Sequence, residues 1–165
     1  GEIALEQQIT KSQLYGEELM TDEEGNVTTR YMLHTAFSTS GSYNAGFAAA
    51  RANAMTEIAS MMKTQLVAAW KSKTDNAQHS SVSATTVDKF NQRVGGIVDE
   101  SITNAIPVVS IYRRLQNNNY EVQVRLVFDK KELAARLKRN MERELEDEGD
   151  DLGEMVDEMI QGLMH

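Results

Sequence analysis

The stretch that decides the fold is SYNAGFAAARANAMTEIASMMKTQLVAAWKSK, residues 42–73. Its apolar side chains recur three or four residues apart, which predicts one long helix with a continuous buried face. Residues expected on that face are Phe47, Ala50, Ala54, Ile58, Met61, Gln65 and Ala69, widened by Met62, Leu66 and Trp70. The first half is rich in alanine, so its backbone can approach a sheet closely. This is a packing pattern, and it indicates a fold without indicating a chemical activity.

The rest of the chain supplies helices and strands around that helix. Residues 2–14 carry a weak helical pattern, residues 22–26 form a turn, and residues 27–38 alternate as a strand. Ser42 is the expected N-cap of the long helix. Thr85 and Asp88 resemble a capping box for a second helix, which Pro107 is expected to end. The apolar stripe expected on this second helix comprises Val87, Phe90, Val94, Ile97, Val98 and Ile102.

Two strands and two further helices follow. Residues 108–115 and 120–128 read as an antiparallel hairpin whose turn contains three asparagines, and the second strand has the clearest apolar–polar alternation in the chain. Its inward side chains are predicted to be Tyr120, Val122, Val124, Leu126 and Phe128. A helix capped by Asp129 comes next, with Leu133, Leu137, Met141 and Leu145 spaced by four.

The order of elements predicts an α+β two-layer sandwich, with a small antiparallel sheet of about three strands packed against long helices. We expect a single domain over residues 1–165, with residues 1–26 forming an N-terminal helix and turn and residues 140–165 an acidic helical tail. The expected core between helices and sheet comprises Phe47, Ile58, Val94, Ile97, Val122, Val124 and Leu126.

Composition narrows the possible functions. The net charge of −8 is concentrated in residues 140–165, which carry ten acidic residues and one arginine, so the remainder is nearly neutral. This distribution argues against a nucleic-acid binder. The absence of cysteine excludes disulfides and thiolate metal sites, and no apolar run is long enough to cross a membrane. Gly1 in place of Met suggests that a targeting segment has been removed.

Three segments together resemble a known family: STSGSYNAGFAAARANAMTEIASMM, PVVSIYRRL and NNNYEVQVRLVFDKKELAARLKR. The chain resembles the LPP-twenty-like bacterial envelope lipoproteins, mainly over residues 27–139, and more distantly the N-terminal domain of flagellar assembly protein T. The likeness is closest to an uncharacterised branch from Bacteroides-type bacteria. It implies an exported α+β domain without a known activity, located in the periplasm or at the outer membrane. The lipidated cysteine of the lipoproteins is missing, so any membrane contact is expected only through an anchor that this chain does not contain.

No catalytic motif accompanies these features. His34, His79 and His165 show no spacing typical of a zinc site, and the serines form no G-x-S-x-G elbow. The paired acids lie in the tail, where nothing is expected to desolvate them for acid or base catalysis. We therefore expect a protein that is not an enzyme, with no cofactor and no metal.

The outer face of the predicted sheet is the best candidate for a binding surface. Residues expected to project from it are Arg30, His34, Tyr112, Arg114, Glu121, Gln123 and Arg125. Three interpretations are open: a solvated face crossed by ion pairs, a surface for a small anionic or saccharide ligand, and a face covered by the N-terminal helix.

The C-terminal stripe is formed by Leu152, Val156, Met159, Ile160 and Leu163. It favours docking on the chain's own core, with recruitment of a second chain as the other interpretation. The sequence thus predicts a structural or interaction module of the bacterial cell envelope, with a protein partner or self-association through the C-terminal helix. A binding module for a small anionic or saccharide ligand is the alternative.

Overall fold

A computed structural model describes residues 2–21, 25–75, 83–102, 105–145 and 151–164 of the 165-residue chain. The elements in these ranges, in chain order, are α1 (Glu2–Glu17), β1 (Leu19–Thr21), β2 (Val27–Thr29), β3 (Tyr31–Ser40), α2 (Tyr43–Thr74), α3 (Ala84–Ser101), β4 (Ile106–Arg114), β5 (Tyr120–Asp129), α4 (Lys130–Glu144) and α5 (Asp151–Met164). The predicted α+β class, the small antiparallel sheet and the helical C-terminus are confirmed.

The contacts within the chain divide it into two compact units. The first comprises Gly1–Ile58 and Asn104–Lys130, and the second comprises Ala59–Thr103 and Lys131–His165. All the described strands, α1 and the first half of α2 belong to the first unit, which we call the sheet unit. The second half of α2 and helices α3 to α5 form the second, which we call the helical unit. The single domain expected over residues 1–165 stays a prediction.

The three-stranded sheet of the sheet unit has the order β3-β5-β4, with both neighbouring pairs antiparallel. Strands β4 and β5 form the predicted hairpin. Its turn is closed by a hydrogen bond from Leu115 N to Asn119 O at 2.7 Å, and Asn118 adopts a φ of 64°. Asparagine tolerates this left-handed conformation better than most residues, which explains the asparagine-rich turn.

Strand β5 is the centre of the sheet, as its alternating pattern suggests. Val122, Val124, Leu126 and Phe128 are all buried, which confirms four of the five predicted inward positions, whereas Tyr120 is half-buried. Val127 is buried as well, although it lies on the opposite face. Both faces of β5 are therefore covered towards its C-terminal end.

Helix α2 approaches β5 closely through its small residues. The hydroxyl of Ser42 accepts a hydrogen bond from Ala45 N at 3.2 Å, which confirms the predicted N-cap. One turn into the helix, a Cβ atom built on Gly46 would lie only 2.5 Å from a methyl carbon of Val122. Ala50 and Ala54 follow on the same buried face. The alanine-rich half of α2 thus allows the close packing that its sequence predicts.

The strand predicted over residues 27–38 is divided in two at a bend at Arg30. Its first part, β2, pairs with β1 in a separate two-stranded sheet, and its second part, β3, extends to Ser40. Strand β1 is only three residues long, too short to show a period in the sequence. The predicted turn before β2 lies partly outside the described residues, but Gly25 has a φ of 86°, as a turn residue there requires.

The helical unit is built around aromatic and long aliphatic side chains. Trp70 of α2 and Phe90 of α3 stack with ring centroids 4.2 Å apart and an angle of 16°. The buried stripe in this half of α2 is Met62, Leu66 and Trp70, whereas Met61 is exposed. The prediction that Met61 and Gln65 continue the buried face is therefore wrong. Met62, Leu66 and Trp70 form the core here instead, because the buried face of a straight helix rotates gradually relative to a fixed spacing of three and four residues.

Helix α3 begins and ends earlier than its sequence suggests. The N-cap is Ser83, whose hydroxyl accepts a hydrogen bond from Thr86 N, so the predicted capping box at Thr85 is wrong. The helix ends at Ser101, and Pro107 lies within β4 instead of terminating the helix. Its stripe is otherwise buried as expected, apart from the half-buried Val87.

The seven residues predicted to share one core are distributed over the two compact units. Ile58, Val122, Val124 and Leu126 are buried in the sheet unit, while Val94 and Ile97 are buried in the helical unit. Phe47 is only half-buried. Six of the seven are buried, as the apolar periodicity predicts.

Helix α5 packs against the chain's own helices, which is the favoured of the two interpretations for this segment. Val156, Met159 and Ile160 of the predicted stripe are buried, together with Met155 and Met164, which the prediction omitted. The side chain of Leu152 lies outside the description, and Leu163 is half-buried. Ion pairs flank the apolar contact: Lys73 Nζ lies 2.8 Å from Glu158, and Lys138 Nζ lies 2.8 Å from Asp157.

Candidate functional site

The register of the sheet separates the seven residues predicted to form a binding surface. In β3, His34 is opposite Leu126 and Ala36 is opposite Val124, so the even-numbered residues face α2 together with the buried side chains of β5. In β4, Tyr112 is opposite Val122 and therefore faces the same way. His34, Tyr112 and Arg114 consequently lie on the helix-facing side, and the expectation that they share the outer face is wrong.

The error has a physical cause. Both sets of alternating residues in β3 contain apolar side chains, Met32 and Ala36 on one side and Leu33 and Phe37 on the other. Composition alone could not show which set faces α2, and a shift of one residue moves every side chain to the other face. The pairing with β5 settles the question.

Glu121, Gln123 and Arg125 do lie on the outer face, but helix α1 covers part of it. Arg125 donates a hydrogen bond from Nη1 to the hydroxyl of Ser12 on α1 at 3.0 Å and another from Nε to the hydroxyl of Thr35 at 2.9 Å. Ser12 is itself buried. The sequence left three interpretations of this face open. At its Arg125 end, the interpretation that holds is the one in which the N-terminal helix covers the face.

A small apolar cluster fixes α1 in this position. Val108, Val109 and Val127 are buried, and Tyr15 of α1 packs against them beside Leu33. The side chain of Gln8 on α1 accepts a hydrogen bond from Ser110 N at 2.8 Å, so the helix also binds the backbone of β4. At the hairpin end of the outer face, Arg113 and Glu121 form an exposed cross-strand ion pair at 2.8 Å.

Arg30 lies at the bend between β2 and β3 and joins three segments of the sheet unit. Its guanidinium contacts Asp129 at 3.1 Å and Glu18 at 3.2 Å and lies over the ring of Tyr31, 5.1 Å from its centroid. The hydrogen bond and charge of Asp129 raise the pKa of Arg30 above its ordinary value, so the group stays a cation. The arrangement connects the bend to the end of β5, and two carboxylates contact the guanidinium.

The surroundings shift the pKa values of two neighbouring groups, Tyr31 and Lys130. Burial raises the pKa of the Tyr31 phenol, an effect that the adjacent Arg30 partly opposes. Burial also lowers the pKa of Lys130, whose Nζ donates a hydrogen bond to the hydroxyl of Thr29 at 2.9 Å. Neither group lies in a cleft with a second group of matching acid or base function.

The helix-facing side of the sheet carries an aromatic cluster, formed by Tyr43, Phe47, Tyr112 and Tyr120. Tyr112 packs edge-on against Tyr43 at 5.0 Å and against Tyr120 at 5.6 Å between ring centroids. The Tyr43 hydroxyl is hydrogen-bonded to Ser110 Oγ. Of these four residues, the predicted binding surface included only Tyr112. Arg114 pairs with Tyr120 in the hairpin, which places Tyr112 and Tyr120 on one face. Aligning the two predicted strands of the hairpin would have revealed this.

Two shallow grooves are present, one in each unit. A groove of about 440 Å³ in the sheet unit lies between α1 and β4, and its lining includes Gln8, Lys11 and Pro107. A groove of about 480 Å³ in the helical unit lies between α2 and α5 and is lined in part by the Lys73–Glu158 pair. Both are open to solvent. Lys73 and Glu158 of the second groove are paired with each other, and Lys11 is the charged residue that lines the first.

The described part of the chain contains no group of three or more histidine, aspartate or glutamate side chains placed to hold a metal ion. His34, on β3, is hydrogen-bonded through Nε2 to Glu57 of α2 at 2.6 Å and stands apart from further ligands. Among the helices of the described ranges, none combines the length and apolarity needed to span a bilayer.

Comparisons of the chain with protein-family models, with curated proteins and with solved structures give no match.

Proposed function

We propose that this chain is a non-enzymatic structural or interaction module of the bacterial cell envelope, located in the periplasm or at the outer membrane. The observation that supports this proposal is the distribution of exposed apolar side chains. Of the nine large apolar side chains that are exposed among the described residues, eight belong to the sheet unit and only Met61 to the helical unit. Exposed apolar surface that is concentrated on one part of a protein is typical of a site of protein contact.

The two-stranded sheet of β1 and β2 is the most prominent part of this surface. Leu19 is paired with Thr29 and Val27 with Thr21, so Leu19 and Val27 project from the same face. Leu19 is 60 % exposed and Val27 is 62 % exposed. An isolated two-stranded sheet is marginally stable in water, and contact with another apolar surface would stabilise it. We therefore place the principal contact with a partner protein at this face.

The helical unit presents a different surface. Several of its charged side chains form cross-helix pairs, among them Arg93 with Glu144 at 2.9 Å and Lys138 with Asp157 at 2.8 Å. Such exposed pairs contribute little stability, but they keep the surface hydrated. The apolar stripe of α5 is occupied within the chain, so a partner or a second copy that binds this helix would meet its polar side, near the groove beside Lys73 and Glu158.

The envelope location rests on the resemblance of residues 27–139 to the lipoprotein family. The α+β architecture with a small antiparallel sheet agrees with what that resemblance implies. No membrane contact is assigned to the chain itself, and a nucleic-acid partner is disfavoured by the excess of acidic residues.

Binding of a small saccharide or anionic ligand is the second candidate function. Because of the sheet register, we propose its site on the helix-facing side of the sheet instead of the outer face. The outer face has lost Arg125 to contacts with Ser12 and Thr35. The aromatic cluster on the helix-facing side retains an exposed ring, Tyr112, near Arg114, and aromatic faces next to a cation can hold a sugar acid. Titration with uronic acids in a calorimeter, followed by the heat signal, would detect such binding. Loss of the signal change in Tyr112→Ala, with the change retained in Phe37→Ala, would assign it.

Cell fractionation combined with surface variants tests the principal proposal. In bacteria that express the chain, antibody detection should find it in the envelope fraction. A partner that copurifies with it should be lost from the double variant Leu19→Asp, Val27→Asp and retained by the control Met61→Asp, which changes an exposed apolar residue of the helical unit. Recovery from the cytoplasm, or equal partner recovery with both variants, would contradict the proposal.

A further inference from the structure

We infer that strand β3 is a self-association edge, at which a second copy of this chain adds its own β3 antiparallel to form a continuous six-stranded sheet. The inference rests on the proposed function as an interaction module and names a second copy as one of its partners. It concerns an edge of the three-stranded sheet and is independent of the Leu19 and Val27 face.

Two hydrogen bonds establish which backbone groups of β3 point away from β5. Lys130 N donates to Arg30 O at 2.9 Å, which continues the ladder between β3 and β5 at an even-numbered residue. The carbonyl of Phe37, an odd-numbered residue, instead accepts from the side chain of Asn53 at 2.9 Å. Antiparallel strands direct alternate residues towards opposite neighbours, so the odd-numbered residues present their N–H and C=O groups at the outer edge. These residues are Tyr31, Leu33, Thr35, Phe37 and Thr39.

Nothing in the described ranges pairs with this edge as a strand, since β3 lies at the end of the order β3-β5-β4. Asn53 is the side chain seen to bond to it, and it engages one carbonyl, which retains a second lone pair. β3 is ten residues long and about 33 Å in extent, since strands rise roughly 3.3 Å per residue. A long regular edge of this kind is a template for pairing with another strand.

The opposite edge of the same sheet is protected in several ways. Strand β4 contains Pro107 and a register shift between Pro107 and Val109. Gln8 caps its backbone at Ser110, and Arg113 and Arg114 end the strand. Proline, bulges, end charges and covering helices are the means by which proteins prevent edge pairing. β3 has neither proline nor a register shift, and it lacks any Asp, Glu, Lys or Arg.

The composition of β3 selects a second copy as the occupant. A two-fold axis at Thr35 would place Leu33 opposite Phe37 of the second copy and Tyr31 opposite Thr39. Phe37 is 56 % exposed in the single chain and would be covered by the facing Leu33. Because the strand carries no Asp, Glu, Lys or Arg, and a two-fold axis at Thr35 places His34 opposite Ala36, self-pairing brings no like charges together across the axis.

The size of the contact is sufficient for a dimer. The edge is about 33 Å long, and the sheet with its covering helix is roughly 20 Å high, which gives about 650 Å² for each copy. The total of about 1,300 Å² lies at the lower end of the range of about 1,200–2,000 Å² that is typical of specific interfaces. We therefore expect a reversible dimer.

Sedimentation velocity of the full chain from about 1 to about 100 µM tests the inference, because this range brackets dissociation constants that correspond to weak, reversible association. The mass should rise from 18.5 kDa towards twice that value as the concentration increases. Phe37→Lys should raise the dissociation constant about tenfold or more, because it places a cation at the edge of each copy. The matched control Ile106→Lys adds the same charge to the exposed side chain of β4 and should leave the constant unchanged. A monomer throughout, or equal constants for the two variants, overturns the inference, and association with a different protein's strand alone also overturns it.

A cysteine at the proposed axis gives a second test that does not depend on a charge change. The chain has no cysteine, so any disulfide of Thr35→Cys joins two copies. Facing residues of a hydrogen-bonded antiparallel pair have Cα atoms about 5.5 Å apart, which suits a disulfide. Oxidised Thr35→Cys should run as a covalent dimer on a non-reducing gel, and Ile106→Cys should stay monomeric. Equal crosslinking of both variants, or none in either, would rule out pairing through β3.

Discussion

A Cβ atom at Gly46 would lie 2.5 Å from Cγ2 of Val122, so α2 and β5 pack at a distance that glycine permits and alanine does not. The valine side chain is branched at Cβ and is held in a buried layer, so it can move little. This contact fixes how closely the long helix approaches the central strand.

Gly46→Ala should therefore destabilise the protein. The added methyl group must displace Val122, at a cost of about 1–3 kcal/mol, which exceeds the gain of about 1 kcal/mol from better helix propensity. Urea denaturation measures the difference in the free energy of unfolding. Gly96→Ala is the matched control, because its Cβ would meet open space within α3 and should raise the stability by about 0.5–1 kcal/mol. Equal effects of the two substitutions would show that α2 does not approach β5 as described.

The register of β5 predicts opposite outcomes for two adjacent residues. Val124 is fully buried, so Val124→Asp would place an unpaired charge in an apolar layer and should cost several kcal/mol, roughly 3–5. The neighbouring control Gln123→Asp changes a half-buried polar side chain on the outer face and should cost less than about 1 kcal/mol. Thermal denaturation compares them. A reversed order would mean that the strand is shifted by one residue.

Packing of α5 can be tested with two methionines. Met159 is buried in the helical unit, whereas Met61 is 44 % exposed. Met159→Ala should lower the free energy of unfolding by about 2–5 kcal/mol because it leaves a cavity, and Met61→Ala should change it by less than about 0.5 kcal/mol. Truncation after Arg143 should likewise lower the melting temperature, since it removes α5 altogether. A truncated chain as stable as the intact one would show that the acidic tail adds no packing.

The burial of Tyr31 predicts a loss of stability at alkaline pH. Because its pKa is higher in the folded chain than the ordinary value of 10.0, the phenol ionises first in the unfolded chain as the pH rises. The stabilising contribution is therefore complete below pH 10 and is lost as the pH rises through the folded pKa. Tyr31→Phe lacks this group, so the stability of the wild type should fall relative to that of the variant as the pH rises above 10. Parallel curves for the two proteins in urea titrations would contradict the assignment.

The parts of the fold that the sequence predicts well are those with one unambiguous period. Strand β5 alternates without exception from Tyr120 to Arg125, and α4 repeats leucine and methionine every four residues, so their buried faces were identified correctly. In β3, apolar residues occur in both alternating sets, and the facing side depends on pairing with a strand about ninety residues away. Long-range pairing of this kind leaves no local signal.

The prediction of the candidate binding surface was wrong for the same reason. His34, Tyr112 and Arg114 were assigned to the outer face by continuing an alternation whose phase was unknown, and the register places them beside α2. The position of α1 also depends on tertiary contacts, since its own apolar pattern is weak and Ser12 and Gln8 reach the sheet through polar atoms. The division into two compact units likewise leaves no signal in the sequence of a helix as continuous as α2.

The central claim is that the sheet unit is the part of an envelope protein that contacts other proteins. Site-specific photo-crosslinking in intact bacteria tests it most directly, with the photoreactive residue placed at Leu19, Val27 or Phe37 and, as a control, at Met61. All four side chains are exposed, so accessibility does not distinguish them. The account predicts cross-links to envelope proteins or to a second copy from the three positions in the sheet unit and none from Met61. Cross-links from Met61 alone, or cross-links only to cytoplasmic proteins, would contradict it.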